Sequence, residues 1–286
     1  MKKLIVIALA LIGYLPLSAQ TKKKPTNAKP AKQVTETPVN TSLPAMNDVI
    51  LRTQANVDLL TANMGNNAHE RDVNTIIKDI QRYLDSAQGP RTRADVLLTK
   101  NYTPLRSFYL TTTNKTTVAT AFLYADAPYT YAMHNDGLAL HIGAVKSGET
   151  YDLGMKTEKG IIRTALLNCL LPSLNAFSEF RDTDIKYVGL SIYYGCSDSR
   201  EEGKKVTPYT LTLVAPLADV IQYAAGDMTA KNLLASSELY QADAMNRAIL
   251  NRVYIDINDN SDEVIPRSPA RTVIIGPLPD VYMEVK

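Results

Sequence analysis

The chain has 286 residues, 45% of them drawn from AVILMFWYC and 21% charged, a balance that excludes a disordered, collagen-like or coiled-coil polypeptide and supplies enough apolar surface for a real core. Thirty-one basic residues stand against 29 acidic ones, a formal charge of +2, which excludes a strongly basic nucleic-acid binder. The sequence contains no nucleotide loop, zinc signature or nucleophile elbow, so it says more about where the protein works than about a reaction.

Met1-Lys2-Lys3, the apolar run 4–17 and Ser18-Ala19-Gln20 follow the order of a secretory signal peptide over 1–19. The run is shorter than the ~20 apolar residues a membrane span needs. Pro16 would break a helix there, and Ala19 suits cleavage before Gln20. The expected location is therefore periplasmic or secreted, with no integral membrane segment after cleavage. Residues 20–44 form an expected disordered linker rich in Lys, Pro and Thr, unable to repay its ordering entropy by burial. From Ala45 onward 24 basic residues face 28 acidic ones, a net −4. The positive charge thus lies on the linker, and no nucleic-acid partner is expected.

Two helices are expected over 45–90. The second carries the stripe Val73, Ile76, Ile77, Ile80, Tyr83 and Leu84, the spacing of one helix face. Asn67 stands three residues before Glu70, a capping-box interval. The two helices would face each other as a hairpin or dock together on a sheet. Between 105 and 155 the period changes to two, which predicts strands over 105–113, 116–125, 129–134, 138–145 and 149–155 in an antiparallel meander. Asp136-Gly137 is the expected hairpin turn. Tyr129, Tyr131, Met133, Leu138, Leu140 and Ile142 would form its core face, and Thr130, Ala132, Ala139 and Gly143 its polar side.

A helix follows over 157–180, kinked or ended at Pro172. Strands over 185–194 and 206–215 come next, then a short helix over 217–225 closed by Gly226. Further expectations are a helix over 236–251, a strand over 252–257 and short strands over 272–275 and 281–285. The fold class is α+β: an N-terminal helical hairpin followed by a largely antiparallel sheet with packed helices. Residues 91–286 make the α+β domain, which 45–90 can join as one domain.

Chemistry-bearing residues are few. Cys196 follows Gly195 at a strand end, as a nucleophile might, with His134 or His141 as its base. A two-residue turn at Asp136-Gly137 would set those two rings diagonally on one face at ~7–8 Å. Cys169 and Cys196 invite a disulfide, but helix and strand rises carry them apart. Asp256, Asn258, Asn260 and Asp262 repeat the alternate-oxygen spacing of a calcium loop, so Ca2+ is the one cofactor suggested. Ser261 replaces the turn glycine and Arg267 the bidentate glutamate, and a solvated Asx turn explains the same residues. Tyr187 and Tyr193 share a strand face that, if exposed, would contact an envelope protein or carbohydrate. The expected function is an exported, noncatalytic binding or structural module of a bacterial cell envelope; the alternative is a periplasmic or secreted hydrolase, calcium-assisted in one form.

Overall fold

The computed structural model describes residues 42–62, 70–86, 89, 92–115, 121–123, 128–200, 206–243, 246–258, 272–274 and 282–284. By its internal contacts the chain divides between Pro38 and Val39, and everything described lies in the second unit. The expected leader, and the linker apart from Ser42, Leu43 and Pro44, fall outside the described residues.

Three helices, α1 (Met46–Ala62), α2 (Val73–Ser86) and α3 (Arg93–Lys115), open the fold, with the short strand β1 (Glu70–Asp72) between the first two. The strands β2 (Ala121–Leu123), β3 (Tyr129–His134) and β4 (Gly137–Asp152) follow. A helical crossover, α4 (Glu158–Phe180), leads to β5 (Tyr187–Ser197) and β6 (Thr207–Pro216). The helices α5 (Leu217–Ala225) and α6 (Ala230–Ser236) then precede β7 (Glu238–Ala242) and β8 (Leu250–Val253). Among the described residues β9 (Thr272–Ile274) and β10 (Tyr282–Glu284) form a separate antiparallel pair. The main sheet runs β1-β2-β4-β5-β6-β7-β8, with β3 paired to β4 beside that path. It is the mixed α+β class, N-terminal helices followed by a largely antiparallel sheet with helices packed on it.

Both faces of the sheet are covered. Tyr131, Leu140, Ile142, Val188, Leu190 and Leu213 face the main core, which α2, α3, α4 and α5 close. The alternate residues Ala132, Ala139 and Val214 lie under α1, against Met46, Val49 and Ile50. The two N-terminal helices therefore dock on the sheet, on opposite faces. Ala132, Ala139 and Gly143, expected on the polar side of the hairpin, are buried because α1 lies over them. α2 starts at Val73, where Asp72 accepts from the Thr75 amide at 2.8 Å, so the N-cap is Asp72 and the expected Glu70 belongs to β1.

Several expected elements change type. The strand over 105–113 is helix α3: Leu98, Leu105, Phe108 and Tyr109 are all buried at helical spacing, and their burial outweighs the strand preference of Tyr and Thr. The strands over 138–145 and 149–155 are one strand, β4, and that over 116–125 shortens to β2 among the described residues. β4 and β5 pair in parallel, joined by α4, a pairing that lies outside the meander expected over 105–155. The helix over 236–251 is instead the end of α6 followed by β7 and β8. In β7 the alternation of Leu239 and Gln241 inward with Glu238 and Tyr240 outward carries a period of two. Pro172 does not end α4, because the preceding turn Leu166–Leu170 widens to a π-helix in which the Leu171 amide donates to the Leu166 carbonyl. By length and composition α4 could cross a membrane, yet most of it is buried within the fold.

The β3–β4 turn is Asn135-Asp136, both at positive φ (45° and 59°), which pairs His134 with Gly137 and Thr130 with His141. The turn falls one residue before the expected Asp136-Gly137 because Asn tolerates the left-handed region too. His134 and His141 are thus four residues apart along the hairpin, ~13 Å rather than diagonal neighbours.

Candidate functional site

The residues where the chain enters the fold line a cavity of about 510 Å³ together with α1, α2, the start of α3 and β3. The α2 stripe supplies Ile76 and Ile80 as floor, joined by Leu98 and Tyr131. Tyr83 and Tyr129 add aromatic faces, and Arg52, Asp79 and Asp95 add charge at the edge. Asp95 is fixed by the α3 capping box: it accepts from the Thr92 amide at 2.8 Å, and Thr92 Oγ1 accepts from the Asp95 amide at 3.1 Å. Tyr83 Oη donates to the other Asp95 oxygen at 2.6 Å, tying α2 to α3 across the cavity. Tyr131 donates to the Leu97 carbonyl at 3.2 Å, and its burial raises the phenol well above its ordinary range. An apolar floor, two tyrosine faces and a few oriented polar groups in this volume are the ordinary make-up of a small-ligand site.

A second cluster sits at the end of the sheet near the β3–β4 turn. Here two residues singled out in the sequence meet: His134 and Tyr187 are edge to face, ring centroids 4.9 Å apart. Glu238 is the hub, with His134 Nε2 at 3.4 Å, Tyr240 Oη donating at 2.7 Å and Arg252 Nη1 at 3.7 Å. Burial and the neighbouring Glu238 carboxylate push the Tyr240 phenol up to about 12. Beyond it Tyr254 is 77% exposed, with the Arg252 guanidinium 5.5 Å from its ring centre.

The remaining candidates are placed elsewhere. His141 lies under α1 and shares 2.7 Å with Ser191 Oγ, which shares 2.6 Å with Thr212 Oγ1. All three are buried. Burial, helped by the Arg52 charge, lowers the His141 imidazole to about 3. Gly143 and Gly189 make room for that ring: a Cβ at Gly143 would lie 2.7 Å from His141 Cε1, and one at Gly189 3.0 Å from Cδ2. Cys196 faces the main core with Tyr194, and its thiol is pushed up to about 12 by burial and the Glu158 charge. Neither histidine is described as its partner. Cys169 and Cys196 are both buried, and no disulfide joins them. Tyr193 is only 6% exposed and Tyr187 is half-buried; the condition for an open Tyr187–Tyr193 face fails because α1 covers that part of the sheet. Asp256 Oδ1 accepts from the Asn258 amide at 2.9 Å, an Asx turn. Asn260 and Asp262 lie outside the described residues, and no metal-ligand group of three is found among those described.

Arg52, Asp79, Asp95, Glu238, Tyr240 and Arg252 were not singled out by sequence. Thr92-x-x-Asp95 has capping-box spacing and could have located the α3 end of the cavity. The second cluster was hidden by reading 236–251 as helix, which turns Glu238 and Tyr240 to different sides of an axis and parts them from Arg252 at the start of the expected strand 252–257, whereas Tyr240 and Arg252 are paired across β7 and β8.

No family model matches the chain, and no curated protein does. Among solved structures it has a slight similarity to the crystal structure of the Legionella pneumophila effector protein RavZ (F222), with 12% identity and a TM-score of 0.21, over 52% of this chain and 34% of that one. The chain thus spans about a third of that protein, a likeness too slight to carry fold or function across.

Proposed function

We propose that the protein is an exported, noncatalytic binding module of the bacterial cell envelope, and that it holds a carbohydrate segment of an envelope polymer in the cavity between α1, α2, α3 and β3. The observation that carries this is the cavity's composition: tyrosine faces at Tyr83 and Tyr129 beside the carboxylates of Asp79 and Asp95 and the Arg52 guanidinium. Sugar rings present apolar C–H faces that lie on aromatic rings, and hydroxyls that pair with planar charged groups. The leader-like residues 1–19 and the Lys- and Pro-rich stretch behind them support export and a tethered position. Against a hydrolase stand the burial of the hydrogen-bonded His141 and Ser191 under α1 and the raised thiol of Cys196, since a nucleophile must be activated and reachable.

The test is isothermal titration of the full mature chain with soluble peptidoglycan fragments and N-acetylglucosamine oligosaccharides. Saturable binding is expected, weakened roughly tenfold by Tyr83→Ala, about what loss of one aromatic contact removes. Equal binding by parent and variant would remove the cavity from the account.

A further inference from the structure

β8 is the last strand in the path of the main sheet, with β7 on one side, and among the described residues no strand pairs with its other edge. Its pairing with β7 ends at Val253, opposite Leu239, but the alternation of a strand continues. Val253, Ile255 and Ile257 are half-buried, while Arg252, Tyr254, Asp256 and Asn258 are exposed. The half-buried set packs on the main core and lines a second cavity, of about 420 Å³, with Leu166, Leu234 and Leu239. Arg252 and Tyr254 lie on the opposite face, where the Arg252 guanidinium is 3.7 Å from Glu238 and 5.5 Å from the Tyr254 ring centre. An edge of this kind offers backbone donors and acceptors to another chain. No proline interrupts 250–258, and the two charges there are opposite in sign and stand symmetrically about Tyr254.

We propose that this edge pairs with the same edge of a second copy of the chain, the two strands running antiparallel about a twofold axis at Tyr254. The order Arg252-x-Tyr254-x-Asp256 is complementary to itself when reversed. In that register Arg252 of each copy stands opposite the partner's Asp256, so the charge pair forms twice, and residues directly opposite have Cβ atoms about 4.5 to 5.5 Å apart. Tyr254, 77% exposed in the single chain, meets the partner's Tyr254, which covers its apolar body and leaves the hydroxyl at the rim. On the other face Val253 meets the partner's Ile255, extending the apolar side beside the second cavity across the junction. Charge selects the register, because centring the axis on Arg252 or on Asp256 would set like charges face to face. The patch is the same on both copies, as a twofold dimer requires. One strand pair buries little area, so reversible association in the micromolar range or weaker is expected.

The experiment is sedimentation velocity of the full mature chain over a concentration series, for the parent, for Arg252→Asp and for Asp256→Arg. A monomer–dimer equilibrium is expected for the parent. Each variant alone should weaken it roughly tenfold or more, since each sets like charges opposite one another at both contacts. Mixed in equal amounts, the two variants should dimerise again, because only the mixed dimer carries opposite charges at both contacts, and failure to fold cannot produce that recovery. Asp256→Arg, at an exposed position, keeps the question answerable if Arg252→Asp, beside Glu238, does not fold: a dimer as tight as the parent's would overturn the proposal. So would a mixture of the two folded variants no more associated than its components. A parent chain monomeric at every concentration, the result expected if its own residues 259–286 took the edge, would also overturn it.

Discussion

His141 is a neutral imidazole locked between α1 and the sheet, and its pH behaviour follows from that position. Below pH 6.5 the unfolded chain takes up a proton that the folded chain, with this group lowered to about 3, refuses. Stability contributed by the neutral ring is complete above pH 6.5 and is lost as the pH falls toward 3. By pH 4.5 the loss from this one residue amounts to about 2 to 3 kcal/mol. Denaturation by urea at pH 6.5 and 4.5 should show that difference between the parent and His141→Gln, whose amide keeps a partner for Ser191 but does not titrate. Equal pH dependence of the two would mean that the ring is not held neutral. Gly143→Ala should cost about 1 to 3 kcal/mol at pH 7, because the added carbon meets His141 Cε1 at 2.7 Å and Thr53 Cγ2 at 3.1 Å. A thermal melt unchanged from the parent would show that α1 can move aside.

Among the elements, α1 lies on its sheet face partly through polar contacts. Gln54, fully buried, accepts from both the Thr210 amide and hydroxyl at 2.8 and 2.6 Å and donates to Asp58 at 2.8 Å. Gln54→Leu should leave those Thr210 donors without this acceptor, destabilising the protein by about 1 to 3 kcal/mol. Hydrogen exchange should then quicken in α1 before α4; uniform quickening would mean that α1 is no separate unit. Elements whose signal was local were legible in the sequence: the α2 stripe, the Gly226 cap of α5 and the alternation of β3, β5 and β6. Those decided by burial were not. Tyr109, Thr111, Thr112 and Thr113 favour a strand taken alone, yet α3 is helical because Leu98, Leu105, Phe108 and Tyr109 are buried together. The β4–β5 parallel pairing depends on where α4 packs, which no run of residues announces.

At the scale of the whole molecule, two cavities flank a sheet covered on both faces, one where the chain enters the fold and one beside the last strand of the main sheet. The sequence pointed to His134 and Tyr187, which do meet, but at a sheet-end cluster rather than a cavity. The first cavity is assembled from residues spread between Ser42 and Tyr131, and only folding makes Arg52, Tyr83, Asp95 and Tyr129 neighbours. If residues 1–19 act as the proposed leader, mass measurement of secreted material should find Gln20 as the first residue; intact Met1 would remove the envelope from the account. The carbohydrate reading is tested most directly by amide chemical-shift mapping of the full mature chain titrated with soluble peptidoglycan fragments. Saturable shifts confined to Tyr83, Asp95, Tyr129 and their neighbours are predicted. Shifts centred on Tyr187, Glu238 and Tyr254 instead, or none at any concentration reached, would contradict it.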